Sequence, residues 1–190
     1  MEGDILPGSS EPPTIGVDRQ TVAAVRTSLV ADAFEAYGGK LTSFAFGITR
    51  DREAADDLVQ ETFLRLVREI TAGRTPDNIA AWLFRVCSNA ATSRGRRVKV
   101  ARRFLQAVRK ADDEPPADVE ILHRETNAIL LAALQTVPAD ARAALLMAAQ
   151  GFSGREIAEA IGRSEIATRT LMFRAREKMR VTLVREGVRS

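Results

Sequence analysis

Apolar residues recur at three- and four-residue intervals from Thr21 to near the C-terminus, and no stretch of any length alternates apolar and polar as a half-buried strand would. Residues 22–37 form an alanine-rich helical segment. Gly38 and Gly39 interrupt it, either as a break or as a weakened turn, before Leu41, Phe44, Ala45 and Ile48 resume the stripe. Asp51 is placed to cap a helix in which Ala55, Leu58, Val59, Phe63 and Leu66 share a face. Residues 71–77 read as a loop from their glycine and proline, with Asn78 or Asp77 capping a helix that carries Ile79, Trp82, Leu83 and Val86. Further on, a leucine-rich helix over 128–137 stops at Pro138, and a helix over 140–150 ends at Gly151.

Residues 153–178 carry the sharpest signal. Ser153 followed by Glu156 has the spacing of a capping box, and Ile157, Ala158 and Ile161 form one apolar face. Gly162 can take the left-handed conformation that a tight helix exit requires, and Ser164 is placed to cap the next helix. In that second helix Thr168, Met172, Ala175 and Met179 make an inward stripe, while Arg169, Phe173, Arg176 and Arg180 repeat the spacing one residue later. A short helix, a glycine turn and an arginine-faced helix make a helix-turn-helix, whose guanidinium groups suit phosphates or guanine and whose aromatic edge suits a thymine methyl. The plainer reading is a solvated basic helix with Phe173 in a local core.

The expected fold is all-α: two small helical domains joined by a flexible linker, the second a helix-turn-helix. The divisions fall at 1–20 for a glycine- and proline-bearing tail, 21–104 for the first domain, 105–124 for the linker and 125–186 for the second domain.

Charge sharpens this division. The net charge of the 190 residues is only +3, but Arg94, Arg96, Arg97, Lys99, Arg102, Arg103, Arg109 and Lys110 run without an acid among them. Asp112, Asp113, Glu114, Asp118 and Glu120 follow, around Pro115 and Pro116. The basic block fits a polyanion or a soluble helix end, and the acidic block a solvated linker. Cys87 and His123 are the only residues of their kinds, so no disulfide framework or zinc knuckle can be built, and His123 reads as a surface residue. The carboxylates Glu53, Asp56, Asp57 and Glu61 have no histidine beside them, and a solvated or partner-binding face suits them better than a metal. No cofactor and no catalytic constellation is expected. No stretch is apolar enough to span a membrane and the N-terminus lacks signal-peptide order, so the cytoplasm is the expected compartment.

Two separated segments then match one family. DREAADDLVQETFLRLVR (51–68) with AWLFRVCSNAATSRGRR (81–97) resembles the promoter-melting domain of bacterial extracytoplasmic-function (ECF) sigma factors, and VPADARAALLMAAQGFSGREIAEAIGRSEIATRTLMFRAREKMR (137–180) resembles their second DNA-binding domain. The resemblance implies a non-enzymatic partner of core RNA polymerase, which it would meet at the β′ clamp and the β flap. The clamp surface would carry Asp56, Asp57, Leu58, Gln60 and Glu61, with Phe63 and Leu66 packed beneath. Arg74, Thr75, Asp77 and Asn78 would serve a loop that captures a minus-ten base, and Arg85, Arg94, Arg96 and Arg97 would face phosphates nearby. Trp82 invites a stacking role, but its apolar neighbours favour the core. The minus-thirty-five contacts map onto Arg169, Thr170, Phe173 and Arg174, with Arg176 close by. An anti-sigma factor is an expected partner.

This chain departs from the family pattern at three places, which bear on promoter sequence more than on function. Thr168 stands where an inward valine is common, Leu171 where an arginine is common, and Ser93 where an aspartate often follows Asn89. Two rival readings are a sigma mimic that binds only a regulatory protein and a stand-alone helix-turn-helix repressor. The first predicts a lost basic face, yet Arg169, Arg174 and Arg176 remain; the second leaves residues 51–68 without a role.

Overall fold

The computed structural model describes residues 19–104 and 121–185, with side chains described over 24–95 and 128–185. Among these residues the chain is helical without strands: α1 (Arg19–Thr49), α2 (Arg52–Thr71), α3 (Ile79–Phe104), α4 (Ile121–Gln135), α5 (Ala139–Ala149), α6 (Gly154–Ile161) and α7 (Glu165–Arg185). Residues 1–18 of the tail, most of the proposed linker, and Arg109 and Lys110 lie outside the described residues, while Arg19 and Gln20, assigned to the tail from the sequence, open α1. Residues 121–124, assigned to the linker from the sequence, instead open α4.

Local signals explain most boundaries. Asp51 Oδ1 accepts the Ala54 amide at 2.8 Å and starts α2, and Asn78 Oδ1 does the same for Ala81 at 2.9 Å at the start of α3. Of the two cap candidates before Trp82, Asn78 is therefore the one engaged. Gly38 and Gly39 do not break α1, which runs unbroken past both. The helix tolerates their propensity cost because Phe44, Ala45 and Leu41, one turn on, are fully buried against α2 and α3. The chain leaves α1 through Arg50, whose φ of +57° places it in the left-handed region just before the Asp51 cap.

The first module packs α1, α2 and α3 around Leu41, Phe44, Leu58, Leu66, Leu83 and Phe84. The second packs α4 through α7 around Ile157, Met147 and Met172. The two do not stand apart. Phe84 lies edge-on to Phe44 with centroids 5.0 Å apart and meets Phe152 of the second module at 4.9 Å, so one hydrophobic core runs through both. A linker of the predicted length is compatible with such closure but does not dictate it.

Candidate nucleic-acid and polymerase interfaces

The helix-turn-helix follows the sequence closely. Ser153 Oγ accepts the Glu156 amide at 3.3 Å while the Glu156 carboxylate accepts from the Ser153 amide at 2.8 Å and hydroxyl at 2.7 Å, closing the capping box of α6. These donors hold the Glu156 carboxyl below the usual carboxylate range. Gly162 adopts φ +67°, ψ +40°, and Ser164 Oγ accepts the Ala167 amide at 3.3 Å to start α7. Thr168, Met172 and Ala175 are buried beneath α7 and Met179 is half-buried. Arg169, Thr170, Phe173, Arg174 and Arg176 are all exposed on its outer side, and Phe173 is 65% exposed, which removes the reading in which it fills a local core. Ile166, at 80% exposure, extends that apolar patch and was not singled out from the sequence.

The acidic face of α2 is partly as expected. Asp56, Asp57 and Gln60 are exposed and Glu61 is half-buried beside Arg65, to which it is ion-paired. Leu58 does not belong to that face: it is 1% exposed and fills the core beneath it with Phe63 and Leu66. The resemblance is corrected here by periodicity: Leu58 shares the inward face of Ala55, Val59, Phe63 and Leu66, about 100° around the axis from Asp57.

Residues 72–78 connect α2 to α3. Arg74 donates to both carboxylate oxygens of Glu69, from Nε at 2.8 Å and from Nη2 at 3.0 Å, an exposed pairing that lowers the Glu69 pKa and raises that of Arg74. Thr75, Asp77 and Asn78 are exposed. Trp82 is half-buried: it packs on the core, as the periodicity favours, and also lines a cleft with Arg85 and Asn78. Arg94 is not free to face phosphate in this state. It donates to Asp57 Oδ2 at 3.2 Å and to the Ala54 carbonyl at 3.3 Å, tying α3 to the start of α2. The helix continues through Arg96 and Arg97, whose side chains lie outside the described residues.

Two features escaped the sequence reading. Arg142 is buried, and its guanidinium donates to the carbonyls of Leu134 (2.9 Å), Val137 (3.2 Å) and Ile48. These carbonyls lie near the C-terminal ends of α4 and α1, where orphan acceptors and the negative end of the helix dipole favour a cation. Burial, with Arg50 as a lesser cause, pulls its pKa down. Its only trace in the sequence is one arginine within the otherwise small and apolar AALLMAA context of α5. The second is an apolar groove of about 360 Å³ between α4, α5 and α7, lined by Leu130, Leu134, Leu145, Met179 and Leu183 and rimmed by Arg176 and Arg180. Among the described residues no group of three or more His, Cys, Asp or Glu side chains is placed to hold a metal, and no described helix is long and apolar enough to cross a membrane.

Fold and surfaces together describe a two-module helical DNA-binding protein with an arginine-faced reading helix. The family follows from comparison with known proteins. Residues 33–100 match sigma-70 region 2 and residues 127–179 match sigma-70 region 4. The chain is 32% identical over 150 residues to the ECF RNA polymerase sigma factor EcfG of Rhodopseudomonas palustris, covering 77% of this chain and 81% of that one. It is 27% identical over 157 residues to the ECF sigma factor SigE of Mycolicibacterium smegmatis, covering 80% of this chain and 60% of the relative, so it spans less than two thirds of that protein. The fold is shared with the sigma factor RpoE of Bartonella quintana, solved in complex with the anti-sigma factor NepR, at a TM-score of 0.64 and 23% identity over 83% of this chain and 95% of that one. The chain belongs to the ECF RNA polymerase sigma factors, and its function is promoter-specific transcription initiation.

Proposed function

We propose that the two modules divide this function between them. The first module meets core RNA polymerase at the β′ clamp through Asp56, Asp57, Gln60 and Glu61, carboxylates and an amide held on one outward face of α2 by the Leu58, Phe63 and Leu66 layer beneath. The same module opens the minus-ten element and holds an unstacked base at the loop that carries Arg74, Thr75, Asp77 and Asn78. Extruding a base costs a few kcal/mol, which hydrogen bonds from these side chains and the exposed edge of Trp82 must offset. Arg85, Arg96 and Arg97 supply phosphate contacts beside it.

The second module reads the minus-thirty-five element with Arg169, Thr170, Phe173 and Arg174, and Arg176 adds a backbone contact. The apolar groove between α4, α5 and α7 is the surface offered to the β flap. The partners are core polymerase, promoter DNA and an anti-sigma factor, and the protein works in the cytoplasm without catalysing a reaction itself. The carrying observation is the α7 face, where a fully formed helix-turn-helix leaves arginines and an aromatic exposed together rather than folding them inward.

Run-off transcription with core polymerase on a genomic promoter library tests the assignment. The chain should direct defined start sites, and Arg169→Ala or Arg174→Ala should weaken promoter use by about 1–3 kcal/mol. A chain that joins core polymerase but directs no start site would revive the sigma-mimic reading. Tight duplex binding that needs no polymerase would favour the repressor.

A further inference from the structure

Arginines account for the charge of the α7 face but not for its crest. Ile166 is 80% exposed and Phe173 65% exposed, the two most exposed large apolar side chains among the described residues. A spacing of seven residues puts them within about 20° of one another around the helix axis and about 10 Å apart along it. Thr170 lies between them, and its Oγ1 donates to the Ile166 carbonyl at 3.0 Å, which commits the hydroxyl proton within the helix and leaves the methyl on the face. The crest stops at Glu177, which is exposed on nearly the same line and paired with Arg180 at 3.2 Å. Exposed cations flank the line through Ile166 on both sides, Arg169 and Arg176 at about 60–80° and Arg174 and Lys178 at about 80–120° the other way.

We infer that Ile166 is a specificity-determining residue, whose side chain packs on the C5 methyl of a thymine in the minus-thirty-five element. The inference rests on the assignment of α7 to that element. An apolar crest between two cationic edges matches the section of a major groove, where two phosphate backbones bound a floor of base edges on which thymine alone presents a methyl. A protein surface docked on Ile166 would have to pair or bury those cations, whereas duplex DNA supplies phosphates at both margins. Ile166 is also the second residue of α7, and the N-terminal residues of a recognition helix are the ones that reach base edges. Arginine selects guanine and is indifferent to a pyrimidine methyl, so Ile166 supplies a discrimination that Arg169 and Arg174 do not. Phe173, about 10 Å further along, falls on a second methyl about three base steps away, at about 3.4 Å per step.

The test replaces thymine with deoxyuridine, which pairs in the same way and lacks only the methyl, one position at a time through the upstream element of a promoter selected by run-off transcription. Affinity is read by competition for holoenzyme assembled from core polymerase and the full chain. One position should lose about fourfold in affinity, the worth of one buried methyl, and Ile166→Ala should bind the thymine and deoxyuridine duplexes alike at that position. Ile166→Val keeps a branched apolar side chain and should retain most of the penalty. Phe173→Ala should erase a separate penalty about three steps away. Ile166 is so exposed that alanine there removes no core contact, and it raises helix propensity, so the variant keeps the fold.

If no position is sensitive to deoxyuridine, or if every penalty persists in Ile166→Ala, while Arg169→Ala and Arg174→Ala still weaken promoter use, the role of Ile166 is overturned and the α7 assignment stands. Loss of core polymerase binding by Ile166→Ala at an unchanged deoxyuridine penalty would make the crest a protein surface and overturn that role as well. Promoter use unmoved by Arg169→Ala and Arg174→Ala would instead remove the α7 assignment, and the inference with it.

Discussion

Replacing Thr168 with valine should stabilise this protein. The Thr168 side chain is 2% exposed beneath α7, and its Oγ1 is the buried side-chain polar atom without a hydrogen-bond partner among the described residues. A buried hydroxyl left without a partner costs about 1–3 kcal/mol in lost hydration. Valine keeps the branched shape, and its helix propensity lies close to that of threonine, so the exchange isolates the hydroxyl. Taking the low end of that range to allow for the larger methyl, the gain is about 1 kcal/mol, or a rise of about 2–4 °C in Tm for a chain of this size. Urea unfolding should show a higher midpoint at unchanged slope. Thr168→Ser, which keeps the hydroxyl and deletes the methyl, should lose about 1 kcal/mol and so bracket the parent from below. Start-site choice in transcription should not change, because Arg169, Thr170, Phe173 and Arg174 lie on the opposite side of α7. A valine variant no more stable than the parent would refute the reasoning. It would mean that the hydroxyl bonds in solution, most simply to the Ser164 carbonyl one turn back, which already accepts the Thr168 amide at 2.9 Å.

Reversing charge with Asp57→Lys and Glu61→Lys should weaken binding to core polymerase on the order of tenfold while circular dichroism stays unchanged; equal affinity would remove the clamp surface. Ser153→Ala should cost about 1 kcal/mol in thermal unfolding through loss of the α6 cap. Because the folded-state pKa of Glu156 is depressed by its Ser153 donors, its contribution is present above its unfolded pKa and fades as pH falls through the folded value, so acid should narrow the gap between the parent and Ser153→Ala. Burial raises the Cys87 thiol pKa to about 12, so the folded state holds this proton more tightly than the unfolded chain. Its contribution is complete below the unfolded pKa and is lost as pH climbs toward 12. Thiol reagents should label native Cys87 only at the rate of unfolding, and fast labelling would show that the site is open.

Much of the fold was legible because its signals are local. Asp51, Ser153, Glu156, Gly162 and Ser164 act through backbone groups within four residues, so spacing alone carries the information. The buried Thr168, Met172 and Ala175 stripe follows from helical periodicity in the same way. The pattern is incomplete where distant partners decide. The Gly38–Gly39 pair leaves a break or a weakened turn open, and burial of α1 against α2 and α3 decides for a continuous helix. The resemblance puts Leu58 on the clamp surface, whereas the apolar spacing of α2 groups it with Ala55, Val59, Phe63 and Leu66, and the structure follows the spacing. Arg94 belongs to a basic run, yet Asp57, 37 positions earlier, claims it. Nothing in a one-dimensional pattern marks Arg142, because its reason for being buried is a set of carbonyls on two other helix ends, one of them 94 positions away.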